Sequence, residues 1–141
     1  MSRTGTAFED LLTAARACRL CITHPRGKPL RHEPRPVFQL SPSARILIAG
    51  QAPGVRVHAT GRPFTDPSGD RLRRWLDLAP EVFYDAARIA ILPMGLCFPG
   101  LTETGADLPP RRECAPAWRE RLLAPLGDLR LVVTLGALAA R

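Results

Sequence analysis

Long apolar runs are missing from this sequence. No stretch approaches the roughly 20 residues that a membrane helix requires, and the opening residues, Met1 to Asp10, contain none of the apolar core of a secretory signal. These absences predict an intracellular protein, most simply a cytoplasmic one. Lysine is almost absent: Lys28 is the single one, and every other basic residue is arginine. Histidine is restricted to His24, His32 and His58, so none stands in the second half of the chain. Neither a G-x-G-x-x-G turn nor a Gly-Lys-Ser/Thr phosphate loop occurs, which removes two common nucleotide-binding motifs. There is no G-x-S-x-G elbow either. A hydrolase built on Ser68, His58 and Asp66 therefore has no positioned nucleophile, and short loops gather Ser and Asp for their turns in any case. No internal repeat is present.

What is present fits one domain. The 141 residues can bury a core without help from a metal, and 45% of them are hydrophobic, as in ordinary globular chains. Twenty basic residues against 13 acidic ones give a formal net charge of +7. Arginine's planar fork suits phosphates and base edges, so this balance points to a polyanionic partner, most simply nucleic acid. A GC-rich genome, which favours Arg, Ala, Pro and Leu together, accounts for the same composition.

Thr6-Ala7-Phe8-Glu9 reads as a capping box, and Phe8, Leu11, Leu12, Ala15 and Cys18 follow at helical spacing, which predicts a helix over 7–19. The segment from Ile22 to Ser43 is rich in proline and basic residues and reads as an extended loop. Arg45 to Gly50, Arg88 to Met94 and Leu129 to Leu135 read as buried strands. Between them, Ser68 caps a helix to about Leu78, Pro80 opens a short one, and Arg111 to Leu126 form another that Pro116 delays or kinks. Gln51–Pro67 and Gly95–Pro110 read as loops. Strands alternating with helices predict a three-layer α/β/α domain over residues 1–141 with a parallel sheet. After Leu135 barely one helical turn, Ala137 to Arg141, remains. The α/β unit is therefore expected to be incomplete at its C-terminal end, leaving Leu131, Val133 and Leu135 partly exposed. The expected state is a monomer unless that edge associates.

Cys18 and Cys21 form C-x2-C at the end of the first helix, Cys97 follows the second strand, and Cys114 lies 17 residues further on. Structural disulfides are rare in a reducing cytosol, whereas four thiolates suit Zn or an iron–sulfur cluster. The wide split of the second pair favours a [4Fe–4S] cluster. A zinc site of Cys18, Cys21, His24 and one later cysteine is the alternative, and the plainest reading leaves Cys97 and Cys114 as small buried residues.

Gly50-Gln51-Ala52-Pro53-Gly54 directly follows the first strand, where open α/β sheets bind ligands. Glycines there let backbone N–H groups approach a ligand closely. Gly61-Arg62-Pro63-Phe64 comes next, and Phe64 among arginines is either a stacking platform for a base or a plug onto the core.

These motifs, together with Ser68-Gly69-Asp70-Arg71-Leu72 opening a helix, resemble the uracil-DNA glycosylase superfamily, and the cysteine layout resembles its iron–sulfur branch, families 4 and 5. The resemblance runs from Cys18 to about Gly136. It implies a DNA base-excision repair enzyme that hydrolyses the N-glycosidic bond of a flipped uracil or other deaminated base. Gln51 and Ala52 would contact the base or the attacking water through their backbone, with Gly50, Pro53 and Gly54 around them. Phe64 would stack on the base, and His58 and Arg62 would lie close enough to touch substrate. Cys18, Cys21, Cys97 and Cys114 would hold a structural [4Fe–4S] cluster. The chain departs from the family pattern twice. Leu92-Pro93-Met94-Gly95 stands where some relatives place an asparagine that reads uracil, and the C-terminal His-Pro-Ser type motif is absent. On that ground impaired excision is expected, and the alternative is a metal-stabilised nucleic-acid-binding protein without catalysis.

Overall fold

The computed structural model describes residues 3–136, with side chains from residue 7 onward. Residues 137–141, where a last helical turn was expected, lie outside the described residues, as does the Thr6 side chain. In chain order the elements are α1 (Arg3–Arg16), α2 (Leu20–Thr23), β1 (Ile46–Ala49), α3 (Val55–Thr60), α4 (Pro67–Leu76), α5 (Pro80–Phe83), β2 (Ile89–Ile91), α6 (Cys114–Leu123) and β3 (Leu131–Thr134). The three strands form one parallel sheet in the order β2-β1-β3, with Ile46 opposite both Ile89 and Leu131. Among the described residues no helix is long and apolar enough to cross a membrane.

The layers follow from the two-residue period of a strand. Leu47, Ala49, Ala90 and Leu92 face one way and pack with Ala15 of α1 and with Trp118 and Leu122 of α6. Ile48, Ile89 and Ile91 face the other way and pack with Leu72 of α4 and Phe83 of α5. The domain is thus a three-layer α/β/α fold with a central parallel sheet. β3 is the less covered strand: Leu131 and Val132 are about half exposed, while Val133 and Leu135 pack partly onto the Phe83 side.

The proline-rich segment is extended, as its composition predicts, and it also shields an edge. Gln39 exchanges both backbone hydrogen bonds with Ile91, and its side-chain amide donates to the carbonyls of Phe83 and Ile89. The outer side of β2 is therefore paired and not left as an open template. Two helix starts differ from the sequence expectation, and a third is delayed as expected. α1 starts at Arg3, so Thr6 lies within the helix and does not cap it. The cap of α4 is Asp66, not Ser68: its carboxylate accepts the Gly69 N–H at 3.1 Å, and Pro67 takes the first helical position. α6 begins at Cys114, which leaves Pro116 in a first turn that needs no N–H from it.

The segment that leads into α6 is held by a buried carboxylate. Glu113 is 7% exposed, accepts from Arg111 Nε at 2.5 Å, and accepts the Arg26 N–H at 3.1 Å. This bond joins the proline-rich segment to the start of α6. Burial alone would raise the Glu113 pKa, but the Arg111 and Arg26 hydrogen bonds outweigh it and hold the carboxyl below its ordinary value. A depressed folded-state pKa stabilises the fold above the unfolded carboxylate value, and that stability is lost as pH falls through the folded one. We expect Glu113→Ala to cost about 1–3 kcal/mol at neutral pH, because it leaves the half-buried Arg111 guanidinium and the Arg26 N–H without their acceptor. Urea denaturation at neutral and acidic pH should show the cost shrinking as the wild-type carboxyl protonates.

Candidate active site at the strand ends

β1 delivers the chain into Gly50–Gly54 at the carboxyl edge of the sheet. The carbonyls of Gly50 and Gln51 accept from Met94 N and Gly95 N, each at 2.9 Å, which ties this loop to the one leaving β2. Among the described residues the N–H groups of Gln51 and Ala52 meet no protein acceptor, and the Gln51 Oε1 is buried without a partner. Beside them lies a cavity of about 240 Å³, lined by Gly50, Gln51, Ala52, Pro53 and Gly54, by Phe64, Asp66 and Ser68, and by Pro93 and Asp107 among others.

Phe64 forms a wall of the cavity from a strained backbone. Its φ is 56°, a left-handed value uncommon for an aromatic residue. Several groups impose it. Arg73 donates to the Phe64 carbonyl at 3.0 Å and to the Tyr84 hydroxyl at 3.0 Å, and Tyr84 donates to the Pro63 carbonyl at 2.6 Å. Gly69 lets α4 pass directly against this turn, since a Cβ there would collide with the Phe64 carbonyl. The ring then stands edge-on to Phe83, with centroids 5.8 Å apart, and its tip lies 3.8 Å from where a Gly50 Cβ would be. Phe64 thus packs against the core and also lines the cavity.

The structure does not bring every expected residue here. His58 lies on α3, a helix within the 51–67 segment that the sequence pattern gives as loop. Gly54 and Gly61 bound that helix, and Arg35 donates to the His58 and Ala59 carbonyls at its end. The His58 ring packs against His32 at 4.9 Å and Phe98 at 5.8 Å, outside the cavity lining. Burial first, then the charges of His32 and Arg35, push its pKa down, which favours the neutral ring. Arg62 also stands outside, its guanidinium 3.6 Å above the Tyr84 ring. Pro93 lines the cavity, in the segment that stands where some relatives carry an asparagine, and Asp66, Ser68 and Asp107 line it without having been assigned a part in holding a base. Asp66-Pro67 carried a readable helix-start signal, whereas nothing local marks Asp107.

The expectation of a metal centre is corrected. Cys18, Cys21, Cys97 and Cys114 are free thiols that line a separate small cavity with Glu113 and Arg111. Among the described residues, however, no group of three or more His, Cys, Asp or Glu side chains is arranged to hold a metal ion. Neither the [4Fe–4S] cluster nor the zinc alternative with His24 fits. The sulfurs have other partners: Cys18 Sγ accepts from Trp118 Nε1 at 3.1 Å, and Cys114 Sγ accepts from Leu96 N at 3.2 Å. His24 Nδ1 lies 3.0 Å from the Thr23 hydroxyl. Burial raises the pKa of Cys21 and Cys97 and pushes Cys114 up to about 11. Four cysteines near element edges read alike whether they serve as ligands or as small packing residues.

The family model of the Uracil DNA glycosylase superfamily matches residues 37–141, which include Gly50–Gly54, Phe64 and Asp107. A type-5 uracil-DNA glycosylase of Thermus thermophilus is 32% identical over 159 aligned positions, covering 94% of this chain and 68% of that protein. The likeness to families 4 and 5 therefore stands, while the iron–sulfur character read from the cysteines does not.

The close passage of α4 under Phe64 can be tested by adding one methyl group. Gly69→Ala must displace the Phe64 backbone, an overpacking that should cost about 1–3 kcal/mol in urea denaturation. Gly127→Ala, where a Cβ meets nothing within 4 Å, should change stability by no more than about 0.5 kcal/mol.

Proposed function

Because the chain belongs to the uracil-DNA glycosylase superfamily, we propose that it takes a flipped, deaminated base of DNA into the Gly50–Phe64 cavity and hydrolyses its N-glycosidic bond. The observation that carries this reading is the cavity itself. It pairs an aromatic wall with two free backbone donors in a space smaller than the roughly 300–1,000 Å³ of sites for drug-sized ligands. That scale suits a single heterocycle.

Extruding a base costs a few kcal/mol, least for a mismatched or damaged pair, so deaminated bases are favoured before any contact is made. Phe64 stacks on the flipped ring. When the glycosidic bond breaks, negative charge gathers on the base, and the Gln51 and Ala52 N–H groups are donors for its oxygen. Pro93 offers no edge-reading amide where some relatives carry asparagine, so the reading extends to uracil or another deaminated base and is not restricted to uracil. Exposed arginines contact phosphates, with the salt dependence that such contacts carry. His58 and Arg62, outside the cavity, take no part.

A single-turnover assay at low salt on single- and double-stranded oligonucleotides containing uracil, hypoxanthine or xanthine tests the activity. Release of at least one of these bases is expected. No release of any of them would overturn the reading and leave a DNA-binding protein at most. Phe64→Ala should weaken binding to the preferred damaged strand by about 1–3 kcal/mol while the thermal transition persists. A variant that binds as tightly as the wild type would assign Phe64 to the core alone.

A further inference from the structure

We infer that the outer flank of α4, along Ser68, Arg71 and Trp75, is a track for a single-stranded stretch of DNA next to the cavity, with Trp75 stacking on one of its unpaired bases. The inference rests on the base-excision reading only for what enters the cavity, and it names a contact outside it. Trp75 is 74% exposed, more than any other large hydrophobic side chain among the described residues. The other tryptophan of the chain, Trp118, is 8% exposed and belongs to the core with Leu122. A large aromatic side chain buries about 150–250 Å² when it is used for packing, and Trp75 forgoes most of that. A single apolar residue at a surface is ordinary, but the neighbours of Trp75 give it a ligand.

Ser68 and Trp75 are two helical turns apart, so they share one flank of α4 at a separation of about 10 Å. Ser68 lines the cavity. The flank therefore runs from the cavity wall to the indole. Arg71 stands on the turn between them, exposed, with its guanidinium carbon 6.0 Å from the centre of the Trp75 ring, at the reach of a cation–π contact. An open aromatic face beside an arginine is the pairing that single-strand binding uses, the ring for a base and the charge for its phosphate. Acidic groups keep to the other side of the helix. Asp70 accepts from Arg73 at 2.7 Å, and Asp70, Arg73, Arg74 and Asp77 border a separate groove that includes neither Arg71 nor Trp75. The Trp75 flank is thus complementary to a phosphate chain, in a protein of net charge +7. A protein partner would need an apolar patch around the indole, whereas Arg71 and Ser68 are polar.

The spacing suits a strand with one base in the cavity. About 10 Å corresponds to roughly three nucleotides at the ~3.4 Å rise of a stacked strand, and to fewer when the strand is extended. Trp75 therefore meets a base close to the extruded one. In a duplex that base is paired and stacked on both faces, so the indole has no face to cover. The contact consequently favours single strands, and it adds affinity without entering the chemistry of the cavity.

The test measures binding of the whole chain, at low salt, to a short oligothymidylate that offers nothing to excise, and to the duplex it forms with oligoadenylate. The single strand should quench the indole fluorescence. Trp75→Ala should lower single-strand affinity by about 5- to 150-fold, the equivalent of one lost base stack, with duplex affinity and the thermal transition at wild-type values. Trp75→Phe should keep much of the affinity and abolish the quenching, because buried Trp118 is out of reach. Arg71→Gln should flatten the salt dependence by about one phosphate contact. Wild-type single-strand affinity in Trp75→Ala, quenching that persists in Trp75→Phe, or an equal loss on the duplex would overturn the inference. So would self-association that Trp75→Ala abolishes while DNA binding stays intact. Excision separates this result from the base-excision reading. A chain that excises a base but binds single strands without Trp75 sinks the inference alone, and Trp75-dependent binding without any excision sustains the track and sinks that reading.

Discussion

The central strand β1 is bonded on both sides and covered on both faces, and the rest of the molecule is arranged around that confinement. Parallel neighbours make all strands end at the same edge, so the loops leaving β1 and β2 meet there of necessity. Once they meet, the carbonyls of Gly50 and Gln51 are taken by Met94 and Gly95, and the N–H groups on the other side of those peptides remain for a ligand. The site is thus a by-product of satisfying the sheet. The same hydrogen bonds that end the strand pairing leave donors pointing away from it.

Phe64 shows how such a site acquires a rigid wall. A left-handed aromatic residue is costly in isolation, on the order of 1–3 kcal/mol. Here Arg73, Tyr84 and Gly69 surround its carbonyl so closely that no other conformation serves all of them. The strain is carried by a helix, α4, whose inner residue Leu72 is in the core. A ring held in this way keeps its position when the cavity is empty, which on the proposed reading would reduce the ordering needed for a base to enter.

The layers, the strands and the pocket loop were legible in the sequence because they depend on local patterns: apolar runs, glycines at strand ends, prolines at helix starts. The short helix α3 was not, since Val55-Arg56-Val57-His58 shows no apolar periodicity and the helix exists through Gly61 and the arginine that caps it from 23 residues away. Asp107 was invisible for a similar reason, because a carboxylate in a loop has no signature until the loop's fold places it. The cysteines erred in the opposite direction. Their spacing was distinctive, yet spacing does not report whether sulfurs gather as ligands, and here two of them accept hydrogen bonds from Trp118 and Leu96.

The arginines require the same separation of pattern from placement. Read as composition, a net charge of +7 points outward to a polyanion. In the structure several guanidinium groups are turned inward or laid on rings. Arg35 ends α3, Arg73 clamps Phe64, Arg111 holds Glu113, and Arg16 and Arg121 lie over Phe38 and Trp118. These groups are already bonded or stacked and contribute little to a phosphate. Arginine does this better than lysine because its planar fork can satisfy two carbonyls or cover a ring while remaining charged. The near absence of lysine is therefore explained in part by the protein's own architecture, and the charge that the proposed reading would turn toward DNA resides in the smaller set of arginines that the fold leaves exposed.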